Sequence, residues 1–307
     1  MTKRVLKRIL MLIPTVIGVS FIVFLLFYLS PGDAALAKAG PNAPKEVIEA
    51  LREKMGLNDP FLAQYLRFLK GLIFKFDLGT SYISGSSVTK TLLAVFPNTL
   101  KLTGFSLLIA VFFGILLGVL SAVNRGTFVD KFVMIFSMAG IAMPIFWTGI
   151  LLILLFSVKL RWLPPSGFSS FNAMIMPAFA LGLQSSAIIM RMTRSSMLEV
   201  LNQDYIETAT AKGLKKQKII FIHALKNAMI PIITTIGLQA GGLLGGSVLT
   251  ETVFSIPGIG RLMVESIKTR DLPVVLGGVI LISICYSLIS IVVDILYGFI
   301  DPRIGRD

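Results

Sequence analysis

Long apolar runs with few or no charges recur along the chain, separated by shorter polar stretches. A helix needs about 20 apolar residues to cross a hydrocarbon layer of about 30 Å, because each residue advances it by about 1.5 Å. The runs that meet this length are Ile9–Leu29, Leu102–Val123, Phe132–Val158, Phe171–Met190, Ala228–Leu249 and Leu272–Ile300. The pattern therefore predicts an all-α, polytopic membrane protein with about six transmembrane helices.

The first apolar run follows four basic residues, Lys3, Arg4, Lys7 and Arg8, and is 21 residues long. The apolar core of a cleaved signal peptide is shorter, roughly 7 to 15 residues. We therefore expect this segment to stay in the protein as its first membrane helix.

The distribution of basic residues predicts the orientation. If the N-terminus is cytoplasmic, the inner segments carry 15 Lys and Arg residues and the short outer loops carry 5. Because cytoplasmic loops are enriched in Lys and Arg, both termini are expected in the cytoplasm. The chain then divides into a tail and first helix (1–29), an extracytoplasmic loop (30–101) and a five-helix core (102–307) that includes a cytoplasmic segment (191–227).

The long extracytoplasmic loop has the pattern of two amphipathic helices. Pro44 and Gly56 are placed to open and close the first helix. Asp59 is placed to cap the second, with Pro60 at its first position. These helices either cover the outer mouth of the bundle or form a docking surface, and the pattern does not separate the two.

Composition excludes several classes of function. The chain is 55% hydrophobic and 15% charged, and its formal net charge of +13 is not arranged as a basic stripe with interleaved aromatic residues, so nucleic acid is not an expected partner. It contains no G-x-x-x-x-G-K-[ST] phosphate loop, one histidine (His223) and one cysteine (Cys285). We therefore predict no ATPase, no metal site, no cofactor and no catalytic residues in this chain.

Polar side chains inside the predicted spans are candidates for a translocation pathway, because they favour a wet cavity over lipid. Those candidates are Gln184, Ser185, Ser186 and Gln239. Asp294 in the last span fits either a proton relay or an ion pair with Arg303 near the helix end.

The fifth span contains "IGLQAGGLLGGSV", in which Gly237, Gly241 and Gly245 recur every four residues. Glycines at this spacing allow two membrane helices to approach closely. The partner helix is expected either within this chain or in a second membrane subunit of the same kind.

The polar segment from Asp204 to Pro231 is exceptional in so apolar a chain. Asp204 and Glu207 have the spacing of a capping box, which predicts a short helix over residues 205–212. Gly213 is placed to end that helix and Leu214 to make the accompanying apolar contact. The helix fits either the groove of a partner protein or, with Lys215, Lys216 and Lys218, anionic lipid headgroups.

The run Glu207–Gly213, "ETATAKG", resembles the E-A-A-x-x-x-G signature of ABC importer permeases. Further stretches, among them "GVSFIVFLLFYLSPGDAA", "DLGTSY", "ETVFSIPGIGRL", "RDLPVV" and "DPRI", are similar in the same order to permeases of the dipeptide/oligopeptide/nickel type. The resemblance extends over essentially the whole chain.

The resemblance implies a bacterial inner-membrane subunit that forms half of a transport pathway for di- or oligopeptides. Its implied partners are a second permease, two ATP-binding subunits that bind ATP and Mg, an extracytoplasmic solute-binding protein and membrane lipid. The implied ATPase-coupling residues are Tyr205, Ile206, Glu207, Thr208, Ala209, Ala211, Lys212, Gly213 and Leu214. A nickel or metal-chelate importer and, in another class, a secondary carrier or channel remain the alternatives.

The sequence departs from the family pattern in four places. Thr208 replaces the first alanine of the signature, and His223 stands where the longer signature has isoleucine. Lys226 stands where that signature has proline, so Pro231 is expected to shape the return to the membrane. Ile256 replaces a tryptophan in Glu251–Val275, which resembles the outer loop near the gate and the binding protein.

Overall fold

The computed structural model describes the backbone from Thr2 to Ile300, and the side chains from Leu10 to Val293 and of Ile295. The alternatives for Asp294 and Arg303 lie outside the described side chains. The helices are α1 (Thr2–Leu29), α2 (Ala34–Ala39), α3 (Lys45–Met55), α4 (Phe61–Lys75), α5 (Val88–Val123), α6 (Phe128–Ala142), α7 (Ile145–Leu152), α8 (Phe171–Leu201), α9 (Asp204–Ala211), α10 (Lys216–Lys218), α11 (Leu225–Val253), α12 (Ile259–Lys268) and α13 (Leu272–Ile300). Two π-helical segments, Ile153–Lys159 and Ile219–Ala224, follow α7 and α10.

The fold is all-α, as predicted. Within the described range, β pairing is limited to one isolated bridge between Thr80 and Ser87. Among the residues that the structure describes, five helices are long and apolar enough to cross a membrane. α6 with α7 and its π-helical extension gives a sixth span if the bent pair is counted as one.

The predicted third span, residues 132–158, is a broken helix. Its two parts meet at an angle of 106° across Met143 and Pro144. Proline lacks an N–H donor and forces the preceding residue into extended backbone, and Met143 has ψ of 125°. Pro177 and Pro231, in contrast, lie inside the continuous helices α8 and α11.

Several helices extend beyond the apolar runs that predicted them. α5 begins at Val88, so the predicted boundary at residue 101 falls inside a helix. α8 continues to Leu201, and a helical path runs from Lys216 through the second π-helical segment to Val253. An apolar run marks only the part of a helix that lies in lipid. The backbone hydrogen bonds of the helix continue beyond that part into polar surroundings, so the helix is longer than the run.

Close contact between α5 and α8 forms the centre of the bundle. A Cβ on Gly118 would lie 2.5 Å from Cβ of Thr193, and one on Gly182 would lie 2.6 Å from the carbonyl oxygen of Ser106. Gly114, one turn from Gly118, contacts Ile189 in the same way. The two backbones therefore approach as closely as small residues allow in membrane helix pairs.

Buried clusters define two ends of the bundle. Val119, Met197 and Ile220 belong to a cluster that joins the last turns of α5 and α8 to α9 and to the start of the α11 path, and we call this the α9 end. At the opposite α12 end, Leu181 and Phe254 belong to a second cluster, between α8 and the turn after α11. α1 finishes at the α12 end, where α13 begins.

Both helices predicted in the long loop are present. Gly56 ends α3 in the left-handed conformation at φ +67°, as predicted. α4 begins at Phe61 after Pro60, and Asp59 does not cap it as expected, because its carboxylate pairs with the Arg67 side chain instead. α4 lies against α1, and Tyr65 is buried in that contact.

Candidate functional site

The candidate coupling segment is the short helix α9, which begins one residue earlier than predicted. Its N-cap position is Gln203, whose side chain makes no capping hydrogen bond. Asp204 is therefore the first helical residue, and the expected capping by its side chain is corrected. Asp204 and Glu207 still lie in the first turn, where the amide ends of the helix favour negative charge.

Gly213 ends α9 as the sequence predicted. Its φ is +74°, a left-handed conformation that glycine adopts without a Cβ clash. The Gly213 N–H donates to the Thr210 carbonyl at 2.9 Å, and the Leu214 N–H donates to the Ala209 carbonyl at 3.3 Å. These two hydrogen bonds define a Schellman motif, so backbone groups alone satisfy the end of the helix.

One face of α9 is fixed to the bundle. Ile206 and Ala209 are 6% and 8% exposed and belong to the buried cluster of the α9 end, and Leu214 packs against that cluster. Asn227, at the start of α11, donates a hydrogen bond from Nδ2 to the Tyr205 hydroxyl at 2.8 Å. α9 therefore shares one buried cluster with residues of α5, α8 and the α11 path.

The other face of α9 is open. Glu207, Thr208, Ala211 and Lys212 are exposed, and the Thr208 hydroxyl donates back to the Asp204 carbonyl at 3.0 Å. Because Thr208 and Ala211 are small, this face is slim, with charged groups at Glu207 and Lys212.

An ion pair that sequence reasoning missed braces the same end of the bundle. Arg194 of α8 donates from Nε and Nη2 to the two carboxylate oxygens of Asp130 in α6, at 2.7 and 2.8 Å. The Ser121 hydroxyl of α5 donates to Asp130 at 2.5 Å, and the Gly126 N–H donates at 2.9 Å. Asp130 is 5% exposed, so one buried carboxylate joins three helices near the residues that lead into α9.

The predicted pathway residues mostly make bonds inside the chain. The Ser185 hydroxyl donates to Oε1 of Gln239 at 3.0 Å, which brings α8 and α11 together. Gln184 donates to the Ile141 carbonyl at 3.4 Å, near the break after α6. Ser186 is 3% exposed and lies in the α5–α8 contact. Gln184 and Gln239 are half-buried, whereas Ser185 and Ser186 are buried.

Two of the three predicted glycines pack against this chain itself. A Cβ on Gly237 would lie 2.4 Å from Val293, and one on Gly241 would lie 2.5 Å from Tyr286, both in α13. Of the two alternatives that the sequence left open, Gly237 and Gly241 therefore fit packing within the subunit rather than against a second permease. A Cβ on Gly245 would meet no atom within 4 Å, and this residue lies on an exposed face of α11.

At the α12 end, a buried carboxylate organises the turn between α11 and α12. Glu251 is 0% exposed and accepts hydrogen bonds from the Thr99 hydroxyl at 2.8 Å and the Arg261 N–H at 3.1 Å. A Cβ on Gly258 would lie 2.3 Å from the Glu251 carboxyl carbon, so only glycine fits beside it. Spacing alone gave no signal for this contact, because Thr99 and Glu251 are 152 residues apart.

Comparison with known proteins identifies the family. Residues 114–306 match the family described as the binding-protein-dependent transport system inner membrane component, and residues 1–103 match its N-terminal counterpart. The chain belongs to this family. It is a multi-pass component of the bacterial inner membrane.

Two relatives match this inner membrane component over nearly their whole length. One is the glutathione transport system permease protein GsiC of Escherichia coli O6:H1, 43% identical, with 99% of each chain covered. The other is the di/tripeptide transport system permease protein DppB of Pseudomonas aeruginosa, 42% identical, with 97% of each chain covered.

A solved structure confirms the fold. A chain of the MetNI methionine ABC transporter in an inward-facing conformation matches with a TM-score of 0.58 and 20% identity, over 69% of this chain and 96% of that one. At this identity the likeness concerns the fold alone.

Proposed function

We propose that this chain is a permease subunit of an ATP-driven importer for short peptides. The observation that carries the proposal is the division of α9 into a face fixed by Ile206 and Ala209 and an open face with Glu207, Thr208 and Lys212. A short helix held in this way is suited to enter a groove of a partner and to pass its movement to the spans. Family membership and the glutathione and di/tripeptide systems named for the two relatives support the peptide assignment.

The proposed mechanism is mechanical coupling. ATP-binding partner subunits, which hold ATP and Mg²⁺, grip the open face of α9, and their closure moves α9 with the attached ends of α5, α8 and α11. The partners shift the permease between two conformations only to the extent that they bind them with different affinity. No covalent step takes place in this chain.

The proposed assembly contains a second permease, two ATP-binding subunits and an extracytoplasmic solute-binding protein. In this arrangement the α9 end and both termini face the cytoplasm, in accord with the excess of basic residues on that side. The solute-binding protein delivers the peptide at the α12 end. The exposed face of α11 around Gly245 is the proposed contact with the second permease, and Gln184 and Gln239 are the proposed pathway residues.

Transport by the reconstituted complex tests the function. Proteoliposomes that contain both permeases and the ATP-binding subunits, with ATP inside and the solute-binding protein outside, are expected to accumulate labelled di- or tripeptide. Omission of ATP or of the ATP-binding subunits is expected to abolish uptake. Uptake by this chain alone, driven by an ion gradient, would establish the secondary carrier instead, and ATP-dependent uptake of nickel without peptide would establish the metal importer.

A further inference from the structure

A pocket of about 340 Å³ opens at the α12 end, away from the coupling segment and from the proposed pathway residues. It lies between the last turns of α1, the loop helices and the first residue of α13. Its walls combine aromatic rings and polar groups, among them Phe24, Phe27, Arg52, Asn58, Tyr82 and Arg270.

The guanidinium of Arg270 is held in place from several sides. Its Nη2 donates to the Ser30 hydroxyl at 3.0 Å, and its Cζ lies 5.8 Å from the centre of the Phe27 ring. A Cβ on Gly32 would lie 2.5 Å from Nε, so the absence of a side chain there makes room for the guanidinium. Arg270 itself has φ of +60°, a conformation that residues other than glycine adopt rarely and mostly where the surroundings impose it.

Two arginines, Arg52 and Arg270, and one carboxylate, that of Asp33, line the pocket. Arg52 is paired with Asp33, which accepts from its Nε at 2.9 Å and its Nη2 at 2.8 Å, and with Glu49 at 3.2 Å. The nearby Asp271 carboxylate accepts from Ser81 and from the Tyr82 N–H instead. Among the described side chains no salt bridge reaches Arg270. An anionic oxygen group would therefore complete this pocket.

Apolar surface continues from the pocket to a depth within the membrane. The Tyr65 hydroxyl of α4 donates to the Ile17 carbonyl of α1 at 3.0 Å, and Ile17 precedes the end of α1 by twelve residues. At about 1.5 Å per residue this contact lies roughly 18 Å from the outer end of the span. α4 thus runs beside the hydrocarbon part of α1, and it leaves Leu62 and Leu66 59% and 54% exposed.

We propose that this pocket binds the phosphate of an anionic phospholipid, with Arg270 as its principal ligand. The acyl chains would lie over the exposed apolar residues of α1 and α4. A guanidinium with an aromatic wall at the end of a span, next to an apolar surface, fits a ligand with an anionic head and an apolar tail. A free phosphate group carries the same head but gains nothing from the apolar surface.

Native mass spectrometry of the purified full-length protein, titrated with phosphatidylglycerol or phosphatidylcholine, tests this assignment. We expect preferential retention of phosphatidylglycerol by the wild-type protein. Arg270→Gln is expected to weaken that binding about ten-fold, since a hydrogen bond between charged groups is lost. Arg161→Gln is the matched control, because Arg161 is an exposed arginine with φ of +57° that does not line the pocket, and it is expected to bind as the wild type does.

Competition distinguishes the two sources of phosphate. Inorganic phosphate at millimolar concentration is expected to leave the lipid bound, and complete displacement would identify a site for free phosphate and overturn the lipid assignment. Equal phosphatidylglycerol affinity in wild type and Arg270→Gln would also overturn it. If Arg270→Gln does not purify as a monodisperse protein, Arg270→Lys and Ser30→Ala replace it, and unchanged lipid affinity in both variants refutes the proposal.

Discussion

Loss of the ion pair between Asp130 and Arg194 is expected to destabilise the protein strongly. Arg194 supplies two of the four hydrogen bonds to the Asp130 carboxylate, and Ser121 and Gly126 supply the others. A hydrogen bond to a charged group contributes about 1.5–3 kcal/mol, so Arg194→Gln is expected to cost about 3 kcal/mol of unfolding free energy. This is the lower part of the range of about 3–5 kcal/mol for breaking a buried ion pair, which fits an Arg194 side chain that is 24% exposed.

A double-mutant cycle isolates the pair itself. Asp130→Asn, Arg194→Gln and the double variant would be unfolded in mixed micelles, with the free energy of unfolding measured for each. Because the second substitution has no ion pair left to break, the double variant is expected to lose about 2 kcal/mol less than the two single losses combined. Arg191→Gln is the control, since Arg191 lies one turn earlier on α8 and is exposed, and it is expected to change the free energy by less than about 0.5 kcal/mol.

Additive losses, within about 0.5 kcal/mol, would refute this reasoning, because residues that do not interact show additive effects. A loss for Arg191→Gln equal to that for Arg194→Gln would refute it too, since the effect would then follow from the loss of any arginine on that helix.

Three further substitutions probe other parts of the account. In Gly213→Pro, the proline cannot adopt φ of +74°, and the substitution removes the N–H that ends α9. Transport in proteoliposomes is therefore expected to fall at least about ten-fold while the protein still inserts into the membrane. A failure to insert would point to a folding role instead. Gly118→Leu would overlap Thr193 in the α5–α8 contact, and its yield and thermal midpoint in detergent are expected to drop sharply. Gly126→Ala, in open space but at a positive φ, is expected to cost only about 1–2 kcal/mol. Glu251→Ala leaves the Thr99 hydroxyl and the Arg261 N–H without their buried acceptor, so a loss of about 2–4 kcal/mol of unfolding free energy is expected. Glu251→Gln is expected to lose less. Equal losses in the two variants would contradict the hydrogen-bonding role of Glu251.

The features that could be predicted from the sequence are those decided within a few residues. The glycine stop at Gly213 depends on a local left-handed conformation, and the apolar runs depend on the thickness of a membrane. Capping by Asp59 was predicted from equally local signals but is wrong, because Arg67 on the next turns competes for the same carboxylate. A local pattern identifies a candidate interaction without identifying its competitors.

The features that could not be predicted join distant parts of the chain. Asp130 and Arg194 are 64 residues apart, and the local sequence around either residue does not indicate its partner. The glycines of the fifth span gave the visible repeat, yet Gly237 and Gly241 pack on α13 and the central contact uses Gly114, Gly118 and Gly182. Which helix a small residue faces depends on the arrangement of all the spans, and the sequence pattern contains no such information.

Cysteine crosslinking of α9 to the ATP-binding subunit tests the central claim most directly. Thr208→Cys and Lys212→Cys would be introduced after the single native cysteine, Cys285, is replaced by alanine. Thr127→Cys is the matched control, since Thr127 is an exposed threonine in the loop before α6 at the same end of the bundle. We predict efficient crosslinks from positions 208 and 212, with a yield that changes when ATP is added, and weak crosslinks from position 127. Crosslinks from position 127 without any from positions 208 and 212 would contradict the coupling role of α9.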